Sequence, residues 1–215
     1  MVCKVEINRG NVGRIAERIV ANEFESRGFR ISDLNKEGTS ANADLLAVKD
    51  GRAWQLQVKG STDDGFWVSY GFATQEKIDG LKPIYNSADS FYKADLVILV
   101  CVKTASEYQC VVLPVELAEA LAQLCVEYSY RLLNRDGSKK KPGKTAVSPG
   151  YIPNSKNSDR LRMMRTEQEI LQPYVDRWDI FEGECQADDV KRLIEKAKVQ
   201  RLLRDDQALK EASAN

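Results

Sequence analysis

The stretch Ala94–Val102, ADLVILVCV, constrains this chain more than any other. From Leu96 onward it is apolar without alternation and rich in β-branched side chains, the pattern of a strand buried on both faces. It is far too short to cross a membrane, which takes about 20 apolar residues, and no other run is longer. Such a strand belongs at the centre of a sheet covered by helices. Tyr108–Leu113 is placed to pair with it through the turn Lys103-Thr104-Ala105-Ser106. Pro114 then suits the first turn of a helix running to about Tyr128.

The other elements follow from periodicity. Val12, Ile15, Ala16, Ile19, Val20 and Phe24 recur at spacings of three and four, predicting one amphipathic helix over residues 11–27. Asn11 is its expected cap, and Gly28 its expected stop. Phe29–Ile31 reads as a short strand, Asn35–Asn42 as a polar loop, and Gly65–Tyr70 as a further strand piece. Residues 43–61, ADLLAVKDGRAWQLQVKGS, alternate on either side of Asp50-Gly51, the dipeptide of a two-residue hairpin turn. Asn134–Asp159 is rich in Gly, Pro, Ser, Asn and Lys without periodicity and predicts a loop. Thr166–Tyr174 and Ala187 to about Leu209 read as helices. The order is helix, antiparallel strands, irregular segment, central strand, strand, helix. It predicts an α/β (α+β) fold with a central mixed β-sheet flanked by helices.

Within the hairpin, alternation puts Gln55, Gln57 and Lys59 on one face and Trp54, Leu56 and Val58 on the other. A symmetric turn brings Asp44 opposite Gln57, with Cβ atoms about 4.5–5.5 Å apart. The carboxylate and the amide oxygen can share one hard cation such as Mg²⁺, and Lys59 can then orient a water on it. Pattern alone allows a second reading equally well: a diagonal surface ion pair between Asp44 and Lys59, with Gln57 a polar strand residue.

Composition narrows the chemistry. The chain has no histidine, which excludes Ser-His-Asp and Cys-His catalysis and any histidine-held metal. Its five cysteines are scattered, without a CxxC, and read as reduced, mostly buried thiols. The start of the chain lacks the apolar core of a secretory signal, so a cytoplasmic location without a membrane partner is expected. Net charge is zero, but residues 131–165 hold ten basic residues against two acids. Such a segment attracts a phosphate backbone.

Asp44, twelve residues, then Gln57-Val58-Lys59 resembles the signature of the PD-(D/E)xK, restriction-endonuclease-like nuclease superfamily in its QxK form. The resemblance extends to the helix GRIAERIVANEFESRGFRI and to the order of elements, which is similar to the αβββαβ core, over residues 10 to about 113. Ala43 stands where the family often has proline, and Gln57 where it usually has a second carboxylate. The family's helix acid compensates for that lost charge. Glu17 matches it through Gly13-x-x-x-Glu17, and Glu23, nearer the centre of the apolar stripe, is the alternative inward acid.

The resemblance implies a Mg²⁺-dependent DNA endonuclease, restriction- or defence-like, with Mn²⁺ as a second usable ion. Asp44, Gln57, the Val58 carbonyl and Glu17 would hold the metal, and Lys59 would orient the attacking water. With the composition and periodicity of the rest of the chain, the expected division is a nuclease core over residues 1–128, a basic loop over 129–166, and a helical C-terminal extension over 167–215. The expected DNA contacts are Ser61, Lys139, Lys140, Lys141, Lys144, Arg160 and Arg162. One site per chain cuts one strand, so double-strand cleavage would call for a homodimer. A structure-specific, Holliday-junction-type nuclease and a catalytically silent DNA-binding module of the same fold are the alternatives.

Overall fold

The computed structural model describes residues 11–37, 43–62, 66–69, 71–72, 85–86, 94–104, 106–118, 121, 144–147 and 171–180. Helix α1 spans Val12–Ser26 and buries Val12, Ala16, Ile19, Val20 and Phe24, the stripe its periodicity predicts. Gly28 stops it at φ +85°, its N–H donating to Glu25 O, while the N–H groups of Arg27 and Phe29 donate to Phe24 O. A left-handed residue here lets the chain satisfy the last carbonyls and turn away, and glycine adopts it without strain. Asn11 differs from expectation. Its backbone is already helical, and its side chain makes no cap hydrogen bond.

Strand β1 (Arg30–Asp33) follows, and then a four-residue helix α2 (Leu34–Glu37) at the start of the segment expected to be loop. Strands β2 (Leu45–Lys49) and β3 (Arg52–Ser61) form the hairpin. Asp50 and Gly51 both have positive φ, 51° and 77°, as a two-residue primed turn requires. Short strands β4 (Phe66–Ser69), β5 (Gly71–Phe72) and β6 (Tyr85–Asn86) precede the central β7 (Leu96–Val102) and β8 (Tyr108–Pro114). Strand β9 (Lys144–Val147) pairs antiparallel with β4, so regular pairing occurs inside the segment expected to be loop. Pro114 ends β8 instead of opening a helix; helical residues begin at Val115.

The main sheet has the order β1-β2-β3-β7-β8. Only β3 and β7 run parallel within it, and the other pairs are antiparallel, which makes the sheet mixed and the fold α+β. Every residue of β7 is buried, as its unbroken apolar run demands.

Helix α1 packs on the face carrying Leu56, Val58, Ile98, Val100, Cys110 and Val112. It approaches closely at Gly60, where an added Cβ would lie 2.8 Å from both Ala16 Cβ and the Val12 carbonyl oxygen. On the opposite face Val97, Leu99, Val111 and Leu113 are buried too, so both faces are covered. Residues 171–180 close the edge of β8. Leu171 is buried, Gln172–Tyr174 forms a 3-10 turn around Pro173, and Val175 bridges to Val111. Of the helix expected over Thr166–Tyr174, residues 166–170 lie outside the described residues, and Gln172–Tyr174 forms this 3-10 turn instead. Trp178 then enters the α1 core, edge-on to Phe24 at 5.7 Å between ring centroids. The helix expected over Ala187–Leu209 lies outside the described residues. No described helix is long and apolar enough to cross a membrane.

Candidate active site

The hairpin register runs as far as Leu45 opposite Leu56. One residue earlier it shifts: Asp44 N–H donates to Leu56 O at 2.8 Å, so Asp44 and Leu45 both address Leu56, as in a β-bulge. Asp44 is therefore not in simple register with Gln57. The side chains meet nonetheless. Gln57 Nε2 donates to Asp44 Oδ2 at 2.6 Å, and Val58 N–H donates to the same oxygen at 2.7 Å. The second bond has a plain cause. The β2 ladder has ended, Val58 N–H has lost its backbone acceptor, and the carboxylate takes that place in the plane of the sheet. Asn35 Nδ2 donates to the other oxygen, Oδ1, at 3.2 Å.

Gln57 is only 4% exposed, and its Oε1 is buried without a hydrogen-bond partner among the described residues. A buried amide oxygen left unpaired costs about 1–3 kcal/mol. Reversing the amide would pair nothing, since it would set Oε1 against a carboxylate. Without a cation the arrangement is stable only while Nε2 faces Asp44; a cation on Asp44 would favour the reversed amide, with its oxygen toward the ion.

Lys59, half-buried, follows on the same face as Gln57. Among the described residues it makes no ion pair, and Asp44 accepts from amides and not from Lys59. The diagonal ion pair allowed by the sequence is absent among them.

The two glutamates occupy different places. Glu17 is half-buried and lines a cavity of about 740 Å³ with Arg14, Arg18, Ile31, Asp33 and Leu45, the last being the neighbour of Asp44. Glu17 thus stands on the α1 side of the sheet, whereas Gln57 and Lys59 project from the other. Asp44, in the plane where β2 stops, lies between them. Glu23 is engaged elsewhere: it pairs with Arg27 and accepts from Tyr108 Oη at 2.7 Å, at the outer strand β8. The bond to the Glu23 carboxylate, with burial and that charge, pushes the Tyr108 phenol up to about 12. Burial pushes the Cys110 thiol up as well.

Among the described residues no three His, Cys, Asp or Glu side chains gather to hold a metal. The oxygen donors near Asp44 are instead its own carboxylate, the Gln57 amide oxygen once that amide is reversed, and the Val58 carbonyl beyond the end of the β2 ladder. All are oxygens, the ligand type that Mg²⁺ and Mn²⁺ prefer, so the residues present fit a hard divalent ion.

Ser61, the last residue of β3, is 9% exposed. Lys144 opens β9 with its backbone opposite Ser69. Lys139, Lys140, Lys141, Arg160 and Arg162 lie outside the described residues. Sequence reasoning missed Asn35, which sits in a polar stretch without periodicity, and Gly60, whose neighbours come from a distant helix.

No family model matches the chain, and no curated protein matches it. Among solved structures, the bacterial homing endonuclease I-Ssp6803I is similar over 81% of this chain and 93% of its own, with 12% identity and a TM-score of 0.41. The crystal structure of MepB is similar over 74% of this chain and 93% of its own, with 12% identity and a TM-score of 0.30. At these values neither likeness bears on the site.

Proposed function

We propose that this chain is a divalent-metal-dependent DNA endonuclease, restriction- or defence-like, with its site at the open end of the β2–β3 hairpin. The observation that carries the reading is the buried Gln57 amide, whose Nε2 is bonded to the Asp44 carboxylate and whose Oε1 has no partner among the described residues. The sequence resemblance to the QxK nucleases agrees with it residue for residue at Asp44, Gln57 and Lys59.

Asp44, the Gln57 oxygen and the Val58 carbonyl would hold Mg²⁺, with Glu17 as the acid approaching from α1. When bound, the ion supplies Lewis-acid polarisation of a phosphoryl oxygen and a more acidic water. The chain supplies the rest. Val58 N–H fixes the Asp44 carboxylate in the sheet plane. Lys59 orients the attacking water on the Gln57 face and offsets charge that develops on the phosphate. One P–O bond forms to that water and one breaks.

The test is incubation of methylated and unmethylated plasmid DNA with Mg²⁺, comparing the wild type with Asp44→Ala and Lys59→Ala and sequencing the ends. Cleavage by the wild type and by neither variant is expected. DNA binding without cleavage in Mg²⁺ or Mn²⁺ would make the chain a binding module instead.

A further inference from the structure

We propose that Asn35 is the positioning residue that keeps Asp44 in its cation-binding orientation, an inference that rests on the cation site proposed above. Among the described residues the Asp44 carboxylate has three N–H donors: Gln57 Nε2 and Val58 N on Oδ2, and Asn35 Nδ2 on Oδ1. The Gln57 donor is conditional. An amide that turns its oxygen to a cation beside Asp44 turns its nitrogen away, and that bond is given up. Val58 N–H remains, but a single bond to one oxygen lets the carboxylate swing about it. Asn35 holds the second oxygen and makes the hold two-pointed.

The placement of Asn35 is itself built. Its backbone N–H donates to Asp33 Oδ1 at 3.1 Å, and the preceding N–H, of Leu34, donates to the Asp44 carbonyl at 3.0 Å. The start of α2 is thus tied to Asp44 through both main chain and side chain. Asn35 is also exposed, so shortening it removes the bond with little loss of packing.

Partners of this kind typically change metal affinity 10–100-fold when removed. The experiment is calorimetric titration of the full chain with Mn²⁺, alongside the metal-free melting temperature, for the wild type, Asn35→Ala, Asn35→Gln and Asp44→Ala. We expect Asn35→Ala to bind Mn²⁺ about tenfold more weakly with a melting temperature within about 2 °C of wild type. Asn35→Gln, which keeps the amide, should recover part of the affinity. Wild-type affinity in Asn35→Ala, with binding lost in Asp44→Ala, would overturn this inference and leave the cation site standing. Loss of affinity together with a large fall in melting temperature would make Asn35 merely structural and overturn it too. Absence of Asp44-dependent Mn²⁺ binding in the wild type would remove the cation site, and this inference with it.

Discussion

Gln57 donates its amide N–H to Asp44 at 2.6 Å and buries its amide oxygen with no partner among the described residues. The two halves of that side chain are in opposite situations: one is held by a carboxylate, and the other has no partner among the described residues. A strand residue serving only the core would be apolar here, as its neighbours Leu56 and Val58 are.

Replacing Gln57 with Glu tests this relationship. Without metal, the new carboxylate faces Asp44 inside the fold and loses the Nε2 bond, so Gln57→Glu should melt several degrees below wild type in EDTA. Mg²⁺ should raise its melting temperature by more than it raises that of the wild type, because two carboxylates bind the ion more strongly than one. Thermal melts with and without Mg²⁺ check this.

Lys59→Ala should separate chemistry from binding. Losing one group that bears charge in the transition state typically lowers kcat about 10²–10³-fold. DNA affinity measured in Ca²⁺ should change far less. Gel shifts and single-turnover cleavage on one substrate give both numbers.

Gly60→Ala probes how α1 is seated on the site strand. The new methyl would meet Ala16 Cβ and the Val12 carbonyl at 2.8 Å, and the second is backbone that cannot turn aside. Overpacking of this kind costs about 1–3 kcal/mol. Urea denaturation should show a lower midpoint at unchanged slope.

The Tyr108–Glu23 bond gives a pH signature. The folded phenol titrates near 12 against 10 for an unperturbed tyrosine, because the carboxylate favours its protonated form. The unfolded chain loses that proton first as pH rises. The stabilisation is therefore complete below about pH 10 and lost between pH 10 and 12. Tyr108→Phe should be less stable than wild type at pH 9, and the gap should shrink by pH 12. Urea midpoints for both proteins across that range check the sign.

What the sequence discloses here depends on how local the cause is. Strand β7 was legible because double-sided burial writes an unbroken apolar run, and the hairpin because Asp50-Gly51 accepts two positive φ values. Gly28 announced the end of α1 for the same backbone reason. The meeting of Asp44 with Gln57 was legible from turn symmetry, but the one-residue shift at Asp44 was not, since it arises where a ladder runs out. Asn35 and Trp178 were hidden because their partners lie outside any local period. Trp178 reaches the α1 core only through the docking of residues 171–180, where Cys110 N–H donates to Asp176 Oδ1 at 3.0 Å. Strand β9 was hidden by a composition of Gly, Pro and Lys that ordinarily marks loops.

The most direct measurement is the anomalous difference map of a crystal soaked in Mn²⁺. The account predicts a peak at coordination distance from both an Asp44 carboxylate oxygen and Gln57 Oε1, with the amide turned from its present orientation, and its loss in Asp44→Ala. A Mn²⁺ peak elsewhere, or none while Gln57 Nε2 stays bonded to Asp44, would contradict it.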